Sequence, residues 1–234
     1  MKYTVSLLAA AALLPAVAIA DLLTLTGPAS AQDTAIFDDA PDSNGGAGTS
    51  VFSGRIRNGS GLRRALFQFD LSAIDSGATI TSATLRLEID RVPQTGSVNS
   101  DFGLHPITAS WVPGTGASTG GGGTVENGST SWNSRVHNSL AWTTGGGDFA
   151  TTASATTNFG GSIGPVVFIG AGMVADLQDW IDNPGANNGW ILISTAEGTN
   201  GTARSIASAE AASGRPVLEI EFTPQAGIPG WSDY

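Results

Sequence analysis

The stretch RRALFQFDLSAIDSGATITSATLRLEID, residues 63–90, decides the fold. In its second half Ala83, Leu85, Leu87 and Ile89 alternate strictly with Thr84, Arg86, Glu88 and Asp90, which is the pattern of a strand with one wet face. In its first half Ala65, Phe67, Phe69 and Leu71 share one face against Arg64, Gln68 and Asp70, and Leu66 alone is apolar and out of phase. Between the halves, Asp75, Ser76 and Gly77 are turn formers that let the chain reverse. Two amphipathic strands joined this way need a second layer to cover their apolar faces, so the expectation is a β-sandwich.

Working outward, short strands are expected at 34–37, 51–57, 101–107, 166–169, 190–194, 204–208 and 217–223. The last alternates cleanly, Leu218, Ile220 and Phe222 against Glu219 and Glu221, whereas 190–194 is apolar throughout. Asn-Gly recurs at Asn44, Asn58, Asn127, Asn188 and Asn200, a dipeptide suited to tight antiparallel turns. Three of these open Asn-X-Ser/Thr sequons, which read as turns rather than glycan sites. Residues 173–181 form the one helical pattern, with Met173, Leu177 and Trp180 on a stripe, stopped by Asn183-Pro184-Gly185. A helix so short needs the sandwich beneath it, so it is expected to cap it. Residues 109–123, ASWVPGTGASTGGGG, lack a strand-then-helix setting and read as a flexible surface loop, not a phosphate loop.

Residues 1–31 read as a secretory leader: Lys2 gives a positive start and an uncharged Leu/Ala-rich run follows. Cleavage is expected after Ala31, with Ala20 the alternative. The domain would then span 32–224, with 225–234 a Pro/Gly-rich tail. No window is long and apolar enough to be expected to cross a bilayer. The chain has no cysteine, which removes disulfides and thiol chemistry. Its only lysine is Lys2, so beyond the leader nine arginines face nineteen acids, Asp21 having left with it. Such a surface repels phosphate backbones, and nucleic acid is not an expected partner.

Several segments in order carry a resemblance: Asp33-Thr34, GLRRALFQFDLSAI, GATITSATLRLEI, ASWVPGTG with TSWNSR, MVADLQDWIDNPGANNGWILI, and SAEAASGRPVLEIEF. Together they resemble the bacterial DNRLRE-domain family, which is related to carbohydrate-binding modules attached to alginate-degrading enzymes and to disaggregatase-type repeats. The resemblance spans about residues 33–224 and implies a secreted jelly-roll β-sandwich that binds polysaccharide or serves as a surface or matrix module. It also implies that Trp111, Trp132 and the Asp179-Trp180 pair are structural.

For catalysis the inventory is thin. His105 and His137 stand apart and read as satisfied or solvent-facing, and Glu88, Asp90, Glu219 and Glu221 lie on wet faces. No enzyme is expected. Asp38, Asp39 and Asp42 gather oxygen ligands in one loop with Asn44, a candidate site for structural calcium against the plainer reading of ordinary turn residues. Arg55, Arg57, Arg63 and Arg64 fall within ten residues. They are candidates for bidentate contact with the carboxylates of an acidic glycan. The plainer alternative pairs them across strands with Asp70, Glu88 or Asp90. Trp111, Trp132 and Trp142 are candidates for a platform that stacks sugar rings, against the plainer alternative of core packing. The expected function is a secreted, non-catalytic carbohydrate-binding module for acidic extracellular polysaccharide. The alternative is a structural or self-assembling module of the cell surface or matrix.

Overall fold

The computed structural model describes residues 20–225, apart from 60, 118 and 119. The leader expected over 1–31 falls mostly outside the described residues, as does nearly all of the tail. In chain order the strands are β1 (Asp21–Thr26), β2 (Ala31–Phe37), β3 (Ser43–Asn44), β4 (Ser50–Arg55), β5 (Leu62–Phe69) and β6 (Thr79–Arg91). They continue with β7 (Ser100–Pro106), β8 (Gly123–Thr124), β9 (Ser134–Val136), β10 (Leu140–Ala141), β11 (Ala155–Phe159) and β12 (Gly164–Ile169). Helix α1 (Ala171–Asp182) follows, then β13 (Trp190–Ser194), β14 (Arg204–Ala207) and β15 (Val217–Thr223). The strand pairs are antiparallel, and the chain is the all-β sandwich that the alternation predicts, with one short helix.

One layer is built on β6. Leu85 faces Leu218 of β15 on one side and Phe168 of β12 on the other; β14 takes the far end of the β15 side, and β1 extends β15. The other layer runs β2, β5, β13, β7, β11. Strand β4 belongs to both: its residues 50–53 pair with β14, while Gly54 and Arg55 pair with β5. The bend falls at Gly54, whose φ of 100° suits glycine, and a Cβ there would meet Thr202 O at 2.7 Å.

The alternating residues of β6 reach the main core beside Leu218 and Ile220, against Phe67, Phe69, Phe102, Leu104 and Leu192 of the facing layer. Helix α1 begins two residues earlier than expected and presses Met173, Leu177, Trp180 and Ile181 into this core. Each such burial is worth about 1.5–3 kcal/mol. The Trp180 and Trp190 rings meet with centroids 4.6 Å apart.

A second core lies on the outer face of the β2–β11 layer. Ile36, Leu66, Ile191 and Ile193 are covered there by Ile107, Trp111 and Trp142 from the 107–150 excursion. Leu66 is therefore not an irregularity. It is buried on the other side of its strand, and β13 is apolar throughout because both of its faces are covered.

The glycine-rich segment is held at Gly114 and Gly116. Asn44, fully buried, donates from Nδ2 to Thr130 O at 3.0 Å and accepts the Gly116 N–H at Oδ1 at 3.0 Å. Gly114 and Gly116 lie so close to Asn44 that a side chain would not fit. Of the Asn-Gly pairs, only Asn58-Gly59 closes a hairpin between paired neighbours of the two main layers, β4 and β5. Strands β1 and β11 were not expected from the sequence. No helix among the described residues is long and apolar enough to cross a membrane.

Candidate functional site

Neighbouring residues on a strand point to opposite faces, so β5 separates two arginines that are adjacent in sequence. Arg63 turns inward at the end of the sandwich and is only 6% exposed. Its guanidinium pairs with Asp39 at 2.7 and 3.2 Å, donates from Nε to Gly120 O at 3.1 Å, and lies 5.2 Å from the Phe37 ring. Asp38 accepts the Leu62 N–H, and Asp42 holds Val125 N–H through its backbone carbonyl at 3.0 Å. The Asp38 and Asp39 carboxylates thus act on the chain itself, and no group of three acidic or histidine side chains suited to a metal forms among the described residues.

Arg64 turns outward, to the rim of the second core. Nε and Nη2 each donate to a different oxygen of Glu197 at 2.8 Å, and Nη1 donates to Gly146 O at 2.8 Å. The guanidinium carbon sits 5.2 Å from the rings of both Trp132 and Phe149, with its charge held over two aromatic faces. Arg55 donates from Nε to the backbone oxygen of the same Glu197, while the exposed Arg57 reaches Thr95 Oγ1. The four arginines therefore do not share one face. The expectation that they pair is right in kind for Arg63 and Arg64, but their partners are Asp39 and Glu197 rather than Asp70, Glu88 or Asp90.

Trp111 and Trp142 are 6% and 5% exposed, and their indole N–H groups donate to Asn188 O at 2.8 Å and Ser131 O at 3.0 Å. Both belong to the second core and present no open ring to a ligand. His105 faces Ala150 O through Nδ1 at 2.9 Å with its ring edge-on to Phe149, and the Nδ1 of His137 is buried without a partner.

What the structure does assemble is a depression of about 910 Å³ on the outer face of the second core. Arg64 and Phe149 line it, and Thr108, Thr143, Thr144 and Arg135 stand around it. The Asp148 carboxylate accepts the Thr143 and Thr144 N–H groups at 3.0 and 3.2 Å, which fixes the turn that carries those hydroxyls. Arg135, on β9, donates from Nη1 to Ser110 Oγ at 3.2 Å and has no acidic partner among the described residues. Glu197 neutralises Arg64, and Arg135 and the Asp148 carboxylate both line the depression, so Arg135 offers a guanidinium without an ion-pair partner but not a net positive charge. Sequence reading passed Arg135 over because it stands alone in TSWNSR; its distance of three residues from Trp132 was the available signal. Arg204 was also missed: it is 1% exposed, burial lowers its pKa, and its guanidinium donates to carbonyls of Val98, Gly160, Thr202 and Ala203 at 2.9–3.0 Å. It knots three loops together.

Compared with known proteins, the chain matches no family model and no curated protein.

Proposed function

We propose that the protein is an exported, non-catalytic carbohydrate-binding module that holds an acidic polysaccharide in the depression on its outer face. The observation that carries this reading is a guanidinium without an ion-pair partner, Arg135, set among threonine hydroxyls and beside the Phe149 ring in one depression. Guanidinium suits a uronate carboxylate, hydroxyls suit sugar hydroxyls, and a cleft of this size accommodates a few sugar units. The chain's net charge of −10 works against nonspecific binding of a polyanion. The resemblance of the chain's segments to the DNRLRE-domain family agrees with the reading.

Export with cleavage after Ala20 accompanies it. Cleavage there leaves β1 whole on β15, whereas cleavage after Ala31 removes β1 and the first residue of β2.

The test is a salt-controlled binding screen against uronate-containing and neutral polysaccharides, with Arg135→Ala and Thr143→Ala variants. Saturable binding to a uronate polymer that Arg135→Ala weakens at least tenfold, at unchanged melting temperature, supports the reading. Binding that ignores Arg135 sinks it.

A second reading, self-assembly, has its own observation. Leu22 on edge strand β1 is 64% exposed, and Ile163 and Ile169 beside and on edge strand β12 are 67% and 66% exposed. Light scattering separates the two, since an assembly module runs as a concentration-dependent large species.

A further inference from the structure

Strand β2 directs Ala35 and Phe37 into the main core, and by the same alternation Asp33 faces inward with them. Asp33 is 1% exposed. One of its oxygens accepts the Ala209 N–H at 2.7 Å, and the other, Oδ1, has no donor. The neighbour on the far side is Glu210, whose Oε2 is likewise buried without a donor. Two buried carboxyl groups that face each other with no cation between them cannot both ionise at low cost. The cation of the same loop, Arg215, is turned elsewhere: its Nε donates to Ala211 O and its guanidinium lies against Gly27. Glu88 of β6, the other charge packed on this loop, lies against Gly214. On β2 itself the residues flanking Asp33 are Gln32 and Thr34, and across the ladder stands Phe67, none of them charged. Burial first, and the Glu210 charge second, push the Asp33 carboxyl well above the ordinary carboxylate range, against the lowering effect of the Ala209 N–H.

We propose that Asp33 keeps its proton at neutral pH and donates it toward the Glu210 carboxylate, and that this hydrogen bond clasps the 208–216 loop, which leaves one layer, onto β2 of the other. The loop's remaining anchors here are modest: Ser208 donates from its N–H to Thr49 O at 3.1 Å and from Oγ to Gly48 O at 2.7 Å. The direction of the pH effect follows from Asp33 being harder to ionise when folded than when unfolded. The stabilisation is fully present below the ordinary carboxylate range. It is lost as pH rises through the raised value, by up to about tenfold in the folding constant per pH unit.

The test compares the protein with its Asp33→Asn and Glu210→Gln variants. Infrared difference spectra at neutral pH are expected to show a protonated-carboxyl band that Asp33→Asn lacks and Glu210→Gln shifts. Urea midpoints of the wild type are expected to fall with pH relative to Asp33→Asn, whose amide keeps the acceptor for Ala209 and adds a donor for Glu210. Amide exchange at 208–211 is expected to quicken as the wild type crosses that step. Should Asp33→Asn fail to fold, Glu210→Gln carries the same comparisons. A wild type with no such band at neutral pH, or a variant that keeps the wild-type pH slope, overturns the proposal. So does stabilisation of the wild type by calcium that chelator reverses, because a cation would then occupy the proton's place.

Discussion

Arg64 and Glu197 meet through two hydrogen bonds of 2.8 Å, with the arginine's third nitrogen on Gly146 O and its guanidinium carbon 5.2 Å from each of two aromatic rings. With side-chain exposures of 12% and 23%, this is a largely buried pair with good geometry, and its main role is to fix the floor of the depression.

Removing one partner leaves the other charge stranded. Arg64→Ala is expected to cost on the order of 3 kcal/mol, whereas Arg64→Met combined with Glu197→Gln recovers much of it. Urea unfolding of the three proteins checks this, and Arg135→Ala serves as the control, staying within about 0.5 kcal/mol of wild type.

Leu66 lies under Trp142 and the rest of the second core. Leu66→Ala is therefore expected to cost about 2–5 kcal/mol, the range for emptying a packed site. A residue on a true solvent face would change the urea midpoint hardly at all.

A chain beginning at Asp21 keeps six paired residues on β15 and the buried Leu25, which a chain beginning at Gln32 loses. The shorter form is expected to melt lower, with about 2 kcal/mol lost from Leu25 alone. Intact mass of the exported protein reports which form the cell makes, and the expected start is Asp21.

Asp176 accepts the Trp190 indole N–H at 2.7 Å and also the Ser154 hydroxyl. Burial raises its pKa, and these two hydrogen bonds only partly oppose the rise. A raised acid favours folding most below the ordinary carboxylate range and loses that contribution as pH climbs through its folded value. Asp176→Asn keeps an acceptor for both donors, so it is expected to flatten this part of the stability profile. Urea midpoints from about pH 4 to about pH 8 would show it.

The strands that alternate, β6 and β15 above all, were legible because one wet face leaves a period of two in the sequence. Leu66 and the unbroken run of β13 were visible as exceptions, but only the covering layer explains them, and that layer is an excursion rich in glycine whose packing leaves no periodic trace. Strand β1 was obscured because DLLTLT directly follows an apolar leader and reads as its continuation, and β11 because ATTNF has little apolar contrast. At the site, sequence proximity misled. Arg63 and Arg64 are neighbours along the chain but lie on opposite faces of the sheet. Arg64 and Arg135, which line one depression, are separated by three intervening strands and long loops. Trp111 and Trp142 illustrate the same limit, since an indole that covers a core and one that receives a sugar look alike until the surrounding atoms are placed.

The bend of β4 at Gly54 has a mechanical meaning. Because one strand is bonded into each layer in turn, the two faces are joined by continuous main chain and its ladder, not by apolar contact alone. A load applied to β5 passes along β4 around that corner and then across hydrogen-bond ladders into β14 and β6. Sliding the layers past each other would require the ladder at the corner to break first. Under the proposed carbohydrate-binding function, a chain held at the surface would load a path that reaches the far side of the sandwich.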